Sequence, residues 1–180
     1  YFKNMLEREQ TRQGLRMSPD QQAEILLGIS ERMVDGNFTK DTRENLVKSI
    51  VENHGILIDE VRQTYSAAER PNREELANTL ANHALLDRSS GDEKIGFVND
   101  FVLGNFVAEK IVCDDEWWGD EIFIESAITS YSPRTSEKKK MLWSGLQQVL
   151  GAIGDQDQLK FEQKLSKTIS RKFKGANFRN

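Results

Sequence analysis

The sequence predicts a mainly α protein: a helical bundle with a winged-helix-like β-hairpin, followed by a C-terminal three-helix module. Three observations carry this expectation. Apolar residues recur at helical spacing along most of the chain, as in Ile25, Leu26, Ile29 and Met33. Two segments carry the reciprocal capping signature of a helix start, Ser18-Pro19-Asp20-Gln21 and Asn72-Arg73-Glu74-Glu75. One stretch, Leu85 to Val98, reads as two short strands around the polar turn Ser89-Ser90-Gly91-Asp92.

Taken in order, Tyr1 to Gln13 is a charged helix with Phe2, Met5 and Leu6 as its apolar stripe, stopped by Gly14. Ser18 caps the next helix, with Pro19 in its first turn, and Asp35-Gly36-Asn37 ends it. Thr39 or Asp41 then opens a helix that turns Leu46, Val47, Ile50 and Val51 inward, and His54-Gly55 punctuates it. Ile56-Leu57-Ile58 continues toward Val61 and Tyr65 as a short helix. Arg70-Pro71 breaks the chain, and Asn72 caps a helix running through Leu76, Leu80 and Ala81 to His83. The hairpin follows as the expected sheet. A helix then starts on Asn99 or Asp100 and carries an aromatic face.

Beyond Asp114 the texture changes. Asp114-Asp115-Glu116-Trp117-Trp118-Gly119-Asp120 is an acidic joint with two tryptophans. Trp117 and Trp118 are candidates for a partner contact or a buried domain joint. Three helices are expected after it, the last with Leu159, Leu165 and Ile169 as a core stripe. The expected organisation is a helical and winged-helix-like domain over 1–112, a helical linker module over 113–174, and a separate short segment over 175–180. The chain opens at Tyr1, inside a helical pattern, which reads as a fragment of a longer protein.

The bulk numbers exclude several function classes. The 180 residues are 37% hydrophobic and 30% charged, with a net charge of −4 from 25 basic and 29 acidic residues. That balance argues against nucleic acid as the main ligand, because phosphate neutralisation needs a basic face. The single cysteine, Cys113, excludes an internal disulfide and fits a reducing, cytoplasmic setting. No apolar run reaches the length needed to cross a bilayer. Nucleophile, base and orienter cannot be assembled from motifs in this sequence, so an enzyme is not expected. No metal motif is present: the acidic joint lacks the spacing of a calcium loop. The two histidines, His54 and His83, each stand near a helix end, where the dipole favours the charged ring.

Phe97, Val98, Asn99, Asp100, Phe101, Phe106 and Ala108 together resemble the helix-opening motif of STAND-class NTPases, the family that includes NACHT proteins and plant resistance proteins. There the pattern runs apolar, any, His, Asp or Ser, then aromatic, with a further aromatic and Ala beyond. Tyr1-Phe2-Lys3-Asn4-Met5-Leu6 with Ser18-Pro19-Asp20-Gln21-Gln22 resembles the segment after the ATPase core in bacterial NACHT-like proteins. The resemblance covers roughly residues 1–112. It implies a non-catalytic regulatory region that couples nucleotide state to a downstream sensor in bacterial signalling, including antiviral defence. It also implies that Asn99 and Asp100 form the nucleotide-facing turn, with Phe97, Phe101 and Phe106 supporting it.

Asn99 stands where the family has His, and an amide donates hydrogen bonds without a switchable charge. Helix capping is the simpler role for Asn99, and the two roles are compatible. The phosphate-binding loop G-x-x-x-x-G-K followed by Ser or Thr is absent, so no cofactor is expected in this chain. By the resemblance, ATP or ADP belongs to a preceding NTPase domain. Gly175-Ala176-Asn177-Phe178-Arg179-Asn180 resembles the first unit of a pentapeptide repeat, which implies a following repeat domain as the second partner. Two other classes stay open: a winged-helix nucleic-acid binder reading with the Asn72–His83 helix, and a protein-interaction scaffold with no nucleotide link.

Overall fold

The computed structural model describes residues 2–36, 38–88, 93–113, 159 and 163. Among these, helices dominate and one small antiparallel sheet completes the fold. The chain divides into two compact units, Tyr1–Val102 and Leu103–Asn180.

In the first unit, α1 (Phe2–Gln13) stops at Gly14, whose φ of 62° is left-handed and suits glycine. The chain then dives inward: Leu15 and Met17 are both buried. α2 (Pro19–Asp35) starts with the expected capping box. The Ser18 hydroxyl accepts from the Gln21 backbone N–H, and the Gln21 side chain accepts from the Ser18 N–H at 2.9 Å. Its buried face is Gln22, Ile25, Leu26, Ile29, Ser30, Met33 and Val34, the i, i+3, i+4, i+7 stripe of an amphipathic helix.

The chain next forms β1 (Lys40–Asp41), where a helix start was expected. The helix α3 (Arg43–Asn53) begins two residues later on a Thr42 cap, and its inward residues are Leu46, Val47 and Ile50. Two devices explain the delay. The Asp41 carboxylate turns back on the Thr42 N–H and the Asn45 amide, and pairs with Arg32 at 2.6 Å. Opposite β1 stands Gly96, whose missing side chain lets the strands meet: a Cβ there would lie 2.5 Å from the Thr39 carbonyl.

α4 (Gly55–Gln63) follows and buries Leu57, Ile58 and Val61. At the α3–α4 corner the His54 ring lies on Gly28 of α2, where any Cβ would clash with it at 2.3 Å. α5 (Arg73–Leu80) opens with the second expected capping box, Asn72 with Glu75, and buries Leu76, Ala77 and Leu80. It ends before the predicted His83.

The hairpin is β2 (Leu86–Arg88) and β3 (Ile95–Phe97), antiparallel, with Leu86 opposite Phe97 and Arg88 opposite Ile95. The expected two-stranded sheet is in fact three-stranded, in the order β1-β3-β2. The winged-helix-like hairpin is therefore anchored through its return strand, and all three residues of β3 are buried. α2 packs on α3, and α5 packs on both α3 and α4. The core between them holds Ile25, Met33, Leu46, Ile50, Ile58, Leu85 and Ile95, all essentially inaccessible.

α6 (Asp100–Cys113) begins in the first unit and runs into the second. In the second unit, residues 103–107 of α6 are all buried. Leu159 and Gln163 are helical and exposed, so Leu159 at 56% exposure is not the core residue its spacing predicted. The rest of the expected three-helix module and residues 175–180 lie outside the described residues. No helix among the described residues is long and apolar enough to cross a membrane.

Candidate functional site: the turn from β3 into α6

β3 ends on the buried Phe97, and the chain surfaces at once. Val98 is 40% exposed and stays tied to the hairpin by its N–H, which donates to the Leu85 carbonyl at 3.0 Å. Asn99 is exposed. Its side-chain Oδ1 accepts the Val102 N–H at 2.9 Å, the geometry of an N-cap with its third residue. α6 therefore starts at Asp100 with one of its orphan donors satisfied by Asn99.

With Oδ1 engaged by Val102, the Nδ2 amino group of Asn99 stands as its side-chain donor, and that group accepts nothing. A donor at the opening turn of a helix is complementary to phosphate oxygens, and the positive dipole end adds to it. The Asn99 side chain itself carries no titratable group.

Of the other predicted site residues, Phe97 is buried, Phe101 is half-buried and Phe106 is buried. Asp100 opens α6. Trp117 and Trp118 lie outside the described residues. Further along α6, burial pushes the Glu109 carboxyl above its usual range.

A second polar cluster, missed at the level of sequence, gathers around the segment that enters β2. Glu9 is a buried carboxylate on α1. It accepts from Arg12 at 2.6 and 2.7 Å, from the Gln13 amide at 2.7 Å and from the Ala84 N–H at 3.0 Å. Burial alone would raise its pKa, but the bonds from Arg12 and Ala84 hold it below the usual value.

Next to it, His83 is 1% exposed. Its Nδ1 accepts the Leu85 N–H at 3.0 Å, so Nδ1 carries no proton. Nε2–H then donates to Gln22 Oε1 at 3.1 Å, and the Gln22 amide donates to the Met17 carbonyl. Burial depresses the His83 pKa to about 4 against a partial counter-effect from Glu9. The ring is neutral, and the helix-dipole expectation is corrected: desolvation outweighs the dipole here.

The helix considered as a nucleic-acid reader is poorly equipped. Its one basic residue, Arg73, is held by Asp59, which also accepts from Arg62 at 2.7 Å. Those hydrogen bonds lower the Asp59 pKa to about 2. Glu74 and Glu75 beside Arg73 are exposed acids. Among the described residues no group of three or more His, Cys, Asp or Glu side chains gathers as a metal site.

No protein-family model, curated protein or solved structure matches the chain. The functional reading therefore rests on the residues and geometry above.

Proposed function

We propose that this chain is a non-catalytic regulatory fragment of a STAND/NACHT-like signalling NTPase, coupling the nucleotide state of a preceding domain to a following sensor or repeat array. The observation that carries it is the Asn99 turn. An exposed amide stands at the opening of a helix, directly after a buried return strand, with its oxygen used for capping and its amino group left as a donor. ADP or ATP would be held by the preceding domain, and Asn99 would add one neutral hydrogen bond to a phosphate oxygen. The anchored hairpin and α6 would carry the movement, and the setting would be cytoplasmic signalling, with antiviral defence as its biological context.

The test is Asn99→Ala in the full-length protein. Faster ADP loss or raised basal signalling is the expected result. Unchanged nucleotide occupancy and unchanged signalling would leave only the capping role.

A further inference from the structure

We infer that α1 is a releasable arm: it undocks from the first unit and redocks as a whole, swivelling at Gly14, while α2 and the sheet stay folded. This stands independently of the nucleotide reading, because it uses only contacts within the first unit.

Among its described side chains, the apolar attachment of α1 is thin. Of its described side chains only Leu6 and Glu9 are buried, and one of these is a carboxylate. α2 buries seven. Hydrophobic area therefore holds α2 far more firmly than α1.

The polar attachment is built so that each side largely satisfies itself. Glu9 takes three of its four hydrogen bonds from Arg12 and Gln13, which belong to the same helix and leave with it. On the other side His83, Gln22, Met17 and Leu85 bond among themselves and stay behind intact. Among the described residues three hydrogen bonds cross the junction: the Ala84 N–H to Glu9, and Arg12 and Gln13 to the Asn82 carbonyl. Undocking thus leaves no charge buried without a partner, which is the usual reason that breaking a buried ionic contact is costly.

The docked state also carries a polar cost. Gln13 Oε1 is buried without a hydrogen-bond partner, because its Nε2 is engaged with Glu9 and Asn82. Release returns that oxygen to water. The pivot is equally well placed. Gly14 has left-handed φ and open space around its Cα, whereas Leu15 and Met17 are fixed in the core immediately after it.

Hydrogen exchange read by mass spectrometry and NMR on this chain tests the inference, because two adjacent amides belong to different sides. The Ala84 N–H donates to Glu9 and should exchange with the amides of α1. The Leu85 N–H donates to His83 and should exchange at the slower rate of α2. Glu9→Ala should raise α1 exchange roughly tenfold, in line with loss of a charge-assisted bond across the junction, and leave α2 unchanged. Ala84 and Leu85 exchanging at one rate, with α1 and α2 indistinguishable in the unmodified chain, would overturn the inference even if Glu9→Ala fails to fold.

Discussion

The two segments that flank the hairpin, one entering β2 and one leaving β3, carry polar side chains in opposite settings. Before β2, His83 is sealed from solvent and all its hydrogen-bonding capacity is used within the fold. After β3, Asn99 is in water and uses only its oxygen. The difference teaches which polar residue is free for function. A dry, fully bonded group is costly to disturb and serves structure; a wet group with a spare donor can change partners at little cost. Both residues are punctuation in the sequence, and only burial separates their roles.

The sharpest way to break this contrast is at its dry end. His83→Ala leaves the Leu85 N–H and the Gln22 carbonyl oxygen without their partner and opens a cavity, so a loss of about 3–4 kcal/mol is expected. Urea denaturation with an unchanged m-value would measure it. A loss below about 1 kcal/mol would mean that water replaces the ring and that this end is not dry.

Acid should probe the same end more gently. An unfolded histidine titrates near 6.5 and folded His83 near 4, so between these values the unfolded state binds more protons. Stability is therefore full above about pH 6.5 and falls as pH drops toward 4, by up to about 3 kcal/mol. Glu9 acts in the same direction at lower pH, because its depressed pKa adds stability that is lost as the carboxylate is protonated. In His83→Leu the slope between pH 6.5 and 4 should flatten. A slope that persists in that variant would assign it to other groups.

The wet end should be the least sensitive. Asn99→Ala is expected to cost about 1 kcal/mol in thermal or urea unfolding, the ordinary value of a lost N-cap. A cost as large as that of His83→Ala would erase the distinction between the two ends.

Much of the fold was legible because the strongest local signals agreed with the tertiary structure. The Ser18 and Asn72 capping boxes formed as read, and the stripe Ile25, Leu26, Ile29, Met33 became the buried face of α2. β1 was not legible, since two residues carry no period. Its trace was Gly96 within an otherwise apolar strand, which marks a close backbone approach.

The Glu9–His83 cluster was not legible either, because its partners lie far apart in the chain and meet only through the fold. Glu9 and Gln13 lie three and seven residues after Leu6, and Gln22 lies three before Ile25. A polar residue on an apolar stripe was the available signal. The Asn99 turn was placed correctly as the opening of a helix after the return strand. Its oxygen's commitment to capping needed coordinates.

The most direct measurement uses Asn99→Asp in the full-length protein. Aspartate caps a helix as well as asparagine does, so stability should stay within a few tenths of a kcal/mol. At the same atom it replaces a donor with a negative charge that repels phosphate. If Asn99 faces nucleotide, bound ADP should fall sharply while the fold stays intact. ADP occupancy equal to that of the unmodified protein, with the cap preserved, would contradict the proposal.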